Sequence, residues 1–285
     1  MVMTGHFAVL GATGAQGGAV VKALLEAGAT VRGITRRTDS RAALRLAEAG
    51  VEVVAADLSD EASVAQAFSR VTGAYALTTP FEEGPQAEIA QGRTILAAAR
   101  SAQVPHLVFS SVADADQHTG IPHFDSKAVV EAELAGSGLS YTIVGPSYFY
   151  DNMLGGLDDI KAGVFELPLP ADAPLQQLSR RDLGRFVAAV LADPDPVRGA
   201  RIDLASDEPS GRQMAAALSE TLGRPVELVT HDPSQIGSPD MRAMFTFLAA
   251  GGYTVDIAAL HAQYPRIGWQ SFTDWIDTDL RPLLG

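Results

Sequence analysis

The chain of 285 residues has no cysteine, which excludes disulfides, thiolate zinc sites, iron–sulfur clusters and a cysteine nucleophile; nothing in it calls for an oxidising compartment. Positive charge is scarce, with 21 Lys and Arg against 34 Asp and Glu and a formal net charge of −13. Such a chain is a poor general binder of nucleic acid or anionic membrane, so any anionic ligand has to find a local positive spot. No apolar run approaches the roughly 18 residues of a membrane span. No His pair stands with an acid at metal-ligand spacing and no G-x-S-x-G elbow occurs, so neither metal nor acyl-enzyme chemistry is expected. The opening MVMTGHFAVLG lacks the basic start and small-residue cleavage site of a signal peptide, and the expectation is a cytoplasmic protein with no membrane partner.

What is present is an apolar fraction of 47% and length enough for one large domain or two unequal ones. Strands are expected at 7–11, 30–35, 51–56, 74–79, 106–111 and 141–145, with helical patterns near 16–28, 40–49, 61–69, 86–102 and 125–136. Strands apolar along their whole length and separated by helices argue a parallel sheet covered on both faces, the doubly wound α/β fold. After Gly145 the rhythm changes: a loop and helix, the proline-rich LPLPADAP, a helix near 181–192, a strand at 199–206 that can return to the sheet, then mostly helices and one short strand at 225–230. The division expected is a first domain over 1–146, completed by 177–205, and a smaller, mostly helical one from 147–176 and 206–285.

Glycine is crowded where helix one should start: Gly11, Gly14, Gly17 and Gly18, although each glycine inside a helix costs roughly 0.5 to 1 kcal/mol relative to alanine. Between a strand and a helix, the G-x-x-G-x-x-G run Gly11-Ala12-Thr13-Gly14-Ala15-Gln16-Gly17 permits a tight turn and close backbone approach to a pyrophosphate. The free N–H groups and the positive dipole end of the helix then hold the anion. A ribose-binding acid would be expected about 20 residues further on, yet Arg36 and Arg37 stand there, suited to a 2′-phosphate through charge-assisted bidentate bonds. NADP(H) is favoured over NAD(H). Thr78, Thr79 and Pro80 close strand four at the sheet edge where ligands bind, and wall contacts are expected of them. Ser110 and Ser111 close strand five, to touch ligand or to cap.

The glycine spacing resembles that of short-chain dehydrogenases. With ITRR (34–37), HFDSKAVVEAEL (123–134), GPSYFYDN (145–152), SRRDLGRFV (179–187) and PDMRAMFTFLAAGGY (239–253), the chain resembles the NmrA-like branch of that superfamily over nearly its whole length. The resemblance implies a Rossmann domain, a small helical C-terminal domain and a cleft between them, in NADPH-dependent reductases or in dinucleotide-binding sensors. It also implies that Asp57, with Leu58, lies beside the adenine, unless Asp57 only begins a helix. The Tyr-x-x-x-Lys pair of ordinary short-chain dehydrogenases is here His123-Phe124-Asp125-Ser126-Lys127. Lys127 is expected to hold the nicotinamide ribose, and His123 either exchanges a proton with substrate or is a polar residue at the helix entrance. Pro146, Tyr148, Phe149 and Asn152 are implied at the nicotinamide end, with Tyr148 a second proton donor. Two functions follow. One is a reductase passing hydride to a small carbonyl, enone or quinone-like acceptor; the other is a non-catalytic NADP(H) sensor acting through a protein partner. A homodimer fits either. A nucleotide-sugar epimerase is disfavoured, because it too depends on the missing tyrosine.

Overall fold

The computed structural model describes residues 3–284. The chain runs β1 (His6–Leu10), α1 (Ala15–Glu26), β2 (Thr30–Thr35), α2 (Arg41–Glu48), β3 (Glu52–Ala55), α3 (Glu61–Ala67), β4 (Gly73–Leu77), α4 (Pro85–Ser101), β5 (Leu107–Ser110), α5 (Pro122–Ala135) and β6 (Tyr141–Pro146). It continues through β7 (Tyr148–Phe149), α6 (Leu157–Ala162), β8 (Val164–Leu167), β9 (Gln177–Leu178), α7 (Arg180–Ala192), β10 (Arg201–Leu204), α8 (Gly211–Leu222), β11 (Glu227–Thr230), α9 (Pro239–Ala249) and α10 (Ile257–Gln263). It closes in short helical turns from Pro265 onward.

Seven strands form one sheet in the order β10-β6-β5-β4-β1-β2-β3, a Rossmann-like parallel sheet flanked by helices. β1 pairs in parallel with β2 on one side, Phe7 opposite Val31, and with β4 on the other, Ala8 opposite Ala74. The strand order reverses between β1 and β4, and that reversal opens a crevice at their carboxyl ends. The strand expected at 199–206 does return, as the edge strand β10. β5 is buried along its length, as an apolar strand covered on both faces must be. Ile95 and Leu96 of α4, Phe109 of β5 and Leu134 of α5 share one core. α4 and α5 approach closely because Gly92 has no side chain: a Cβ there would lie 2.4 Å from Val130.

The chain divides into two compact units. One comprises residues up to His118, Pro122–Gly145 and Leu183–Asp203; the other comprises Thr119–Ile121, Pro146–Asp182 and the chain from Leu204 on. The second is largely helical around the small parallel pair of β8 and β11, Phe165 opposite Leu228. Three of the differences from expectation bear on the sites described below. β4 stops at Leu77 rather than 79, because the Thr78 hydroxyl turns into a buried bond with Glu88 and Pro80 has no N–H to donate. α5 begins three residues early with Pro122 in its first turn, where a missing N–H costs nothing. β8 falls where a loop-to-helix segment ran into the proline-rich connection. No helix among the described residues is long and apolar enough to cross a membrane.

Candidate functional site

The glycine loop follows β1 at the crevice. Gly11 has φ +69°, a left-handed conformation that glycine adopts without steric cost. A Cβ on Gly17 would stand 2.2 Å from the Gly11 carbonyl oxygen, so only glycine lets α1 begin that close to the turn. Gly14 caps α1 with no side-chain acceptor. The Gly14 N–H closes the turn onto the Gly11 carbonyl at 2.9 Å; Gly14 and Ala15 are both exposed, at a helix start whose first-turn N–H groups have no acceptor within the helix. The Thr13 hydroxyl lies 3.2 Å from that of Thr35 and ties the loop to the end of β2. Gln16 is drawn the other way, its Oε1 accepting from the Tyr75 hydroxyl at 3.1 Å and from Ser110 at 2.9 Å. Loop, β2, β4 and β5 are thus fixed to one another by these side chains and by the Ala12 N–H, which donates to the Ile34 carbonyl at 3.2 Å.

At the end of β2 the two arginines differ. Arg36 makes a fork-like pair with Glu82, at 2.7 and 2.9 Å, and both side chains are more than half exposed. That carboxylate holds the Arg36 guanidinium above its usual pKa, aided by the charges of Asp57 and Glu83. Arg37 lies 3.5 Å from Asp39 on the open surface. Asp57 accepts from the backbone and hydroxyl of Ser59, which hold its carboxyl below the usual range, whereas Asp60 caps α3. Leu58 is half-buried against the core.

At the end of β4 stands a group absent from the sequence reading. Glu88, in the first turn of α4, has no exposed surface. Its carboxylate accepts from Thr78 Oγ1 at 2.8 Å, Lys127 Nζ at 2.7 Å and Ser126 Oγ. The Lys127 ammonium, 8% exposed with its residue, also reaches the Thr78 carbonyl at 3.2 Å and its hydroxyl at 3.5 Å. An ammonium has three N–H groups, and Thr78 and Glu88 occupy all three directions. Neither the burial nor the partner of Glu88 was signalled, because an acid in a first helical turn reads as an ordinary dipole match. Thr79 N–H meets Gln91 Oε1 at 3.4 Å. His123 is buried, its ring 4.8 Å edge-on from Phe124 and 5.8 Å from Phe81, which is 70% exposed.

The aromatic segment after β6 lies in the second unit. Tyr148 and Phe149 form β7 against Gln177 and Leu178, and Pro146 is buried. Burial pushes the Tyr148 phenol up to about 12, against a hydrogen bond with the exposed Asn152. Tyr148 also packs edge-on to Phe245 at 6.1 Å. Ser111, at the end of β5, is 4% exposed and its hydroxyl has no hydrogen-bond partner among the described residues.

A parallel sheet reversing its order beside an uncapped glycine loop defines a class, the Rossmann-like α/β proteins. Within that class, residues 3–259 match the NmrA-like family, and the chain belongs to it. It is 31% identical over 220 residues, 76% of this chain and 74% of the relative, to the (4-alkanoyl-5-oxo-2,5-dihydrofuran-3-yl)methyl phosphate reductase of Streptomyces griseus subsp. griseus. It is 36% identical over 164 residues to an NmrA-like family domain-containing oxidoreductase of a Cladobotryum species, covering 53% of this chain and about half, 49%, of that relative. Among solved structures, the NADPH complex of an Escherichia coli NADPH-dependent quinone oxidoreductase shares the fold at TM-score 0.78 and 24% identity, over 95% of this chain and 98% of that one. The negative transcriptional regulator NmrA in complex with NAD does so at TM-score 0.80 and 21% identity, over 99% and 96%.

Proposed function

We propose that this protein is an NADPH-dependent reductase, in which the N-terminal unit holds the coenzyme and the C-terminal unit receives a small carbonyl, enone or quinone-like acceptor. The observation that carries the reading is the uncapped start of α1, folded onto Gly11 by Gly17 and lying in the same unit as Arg36. Donors without internal partners suit a pyrophosphate, and a guanidinium bound only by a surface carboxylate suits a 2′-phosphate, which displaces Glu82. The relatives named as a reductase and as an oxidoreductase support the reaction class.

When bound, the coenzyme supplies a hydride, and reducing a carbonyl to an alcohol takes one further proton. The backbone from Gly11 to Gly17, with Thr13, Ala15 and Gln16, binds the pyrophosphate. Arg36 and Arg37 grip the 2′-phosphate, and Asp57 with Leu58 borders the adenine. Thr78, Thr79 and Pro80 line the crevice, held in place by Lys127 and Glu88. Pro146, Phe149 and Asn152 belong to the nicotinamide end. Tyr148 keeps its hydroxyl proton at neutral pH, as a group donating to a nascent alkoxide must; His123 is the alternative donor.

A second reading, a sensor that binds NADP(H) without turnover, is favoured by two features. His123 stands where a catalytic tyrosine would, and Lys127 is already engaged by Glu88 and Thr78. NADPH oxidation assayed against quinones, aldehydes and enones separates the two, turnover of none pointing to the sensor. The coenzyme reading is tested by calorimetry. Arg36→Ala is expected to weaken NADPH roughly tenfold or more while leaving NADH nearly unchanged. Glu82→Gln, which removes the competitor of the phosphate, is expected to tighten NADPH by a few-fold, in keeping with the small worth of an exposed pair. Equal losses of both coenzymes in Arg36→Ala would refute the phosphate assignment.

A further inference from the structure

The C-terminal unit contains a cavity of about 550 Å³, within the range of ligand pockets, and every residue that lines it belongs to that unit. Its floor is apolar and buried, built from Ile160, Phe165, Leu167, Leu175 and Met214. One polar group lies in this floor. Gln177 is 1% exposed, and its Nε2 donates to the Met214 sulfur at 3.1 Å. A thioether is a weak acceptor and the amide has a second hydrogen, so Gln177 has donor capacity for a ligand carbonyl. Tyr148 and Asn152 stand in the wall.

The lining is of one sign. Asp159, Glu166 and Asp232 contribute three carboxylates, and among the described residues no lysine or arginine lines the cavity. All three are exposed, and Asp232 is held ionised by hydrogen bonds from Ser234. His231 lies 3.7 Å from Glu166. Three negative charges around an apolar chamber attract a cation and repel an anion, and the difference between the two counts each carboxylate twice.

We propose that this cavity is the acceptor site and that it takes flat ring compounds that are neutral or cationic, discriminating against anionic ones; the acceptor role rests on the reductase reading. The ring lies on the apolar floor, a carbonyl takes the free Gln177 hydrogen, and a positive substituent lies towards the carboxylates.

The test is equilibrium dialysis of the full chain against 1,4-naphthoquinone, its 2-sulfonate and its 2-(trimethylammonio)methyl derivative. The absence of cysteine removes the thiol that such rings would alkylate. The cation is expected to bind about tenfold tighter than the sulfonate at low salt. The ratio should fall towards one at about 0.5 M NaCl, where the Debye length is about 4 Å. In Asp159→Asn/Glu166→Gln/Asp232→Asn, three exposed changes that leave the floor intact, it should be near one at any salt. Sulfonate binding as tight as the cation, an unchanged ratio in the triple variant, or no binding of any of the three would overturn the proposal. NADPH titrated into the same samples reports the coenzyme reading separately. NADPH binding without ring binding sinks the cavity assignment alone, and charge-ordered ring binding without NADPH binding removes the acceptor role.

Discussion

The imidazole of His106 shows how much a single buried side chain settles. Thr142 Oγ1 donates to the Val197 carbonyl at 2.8 Å, so towards His106 Nε2, 3.0 Å away, it can only accept. The ring is therefore protonated at Nε2, and Nδ1 accepts from the Ser140 hydroxyl at 2.8 Å, whose oxygen in turn accepts from Arg198. Burial, and then the charge of Arg198, lower the pKa to about 4, against about 6.5 in the unfolded chain. Above pH 6.5 the ring is neutral in both states. Between 6.5 and 4 the unfolded chain takes up a proton that the folded one refuses, so stability is lost as pH falls, by about 3 kcal/mol in all. Asp203 acts in the opposite sense: burial raises it to about 6 against the pull of Arg201, so between pH 6 and 4 the folded state takes up that proton first. A difference measurement isolates the histidine. From pH 7 to pH 4 the stability of His106→Gln relative to wild type should shift in its favour by about 3 kcal/mol, as read by urea unfolding. Nothing in the sequence marks His106, because its partners lie 34 and 36 residues away. Gly11 and Gly17 were legible for the opposite reason: what they do is done to their immediate neighbours. Arg36 was legible as a charge, but Glu82, 46 residues on, was not.

At the scale of elements, the alternation of apolar strands and helices was readable almost throughout, with ends displaced by a few residues. β8 was missed because its four residues sit between Gly163 and Pro168 and read as part of a connection. How α4 meets α5 was also hidden. The two helices are joined by shape at Gly92 and Val130 and by charge at Glu88 and Lys127. A buried ion pair adds little net stability over a well-packed apolar pair, yet deleting one member strands the other. Lys127→Ala is therefore expected to cost about 3–5 kcal/mol in denaturant unfolding. The double change Lys127→Met/Glu88→Leu should recover only part of that loss, because the buried Thr78 and Ser126 hydroxyls lose the carboxylate they donate to. If Lys127→Ala unfolds like wild type, the pair is not what holds the end of β4. This bears on any activity assay of Lys127, since a loss of turnover has to be measured on folded protein.

Across the whole molecule, the charge of −13 sets what the chain meets in solution. No mobility shift of duplex DNA is expected at about 0.15 M salt, since there is no excess of cations to release counterions from phosphate; a retained complex would show that a local basic patch outweighs the total. The class of fold was visible from the rhythm of strands alone, whereas the strand order was not, because pairing joins segments distant in the chain. The placement of β10 has its own effect on biosynthesis. The outer side of β6 leaves the ribosome with no neighbour, and the segment that covers it begins at Arg201, after all of Pro146 to Ala200 has been made. At roughly 5–20 residues per second that leaves bare backbone donors and acceptors open for several seconds in each round of translation. Chaperone demand in the cell should then depend on how quickly that late segment is translated.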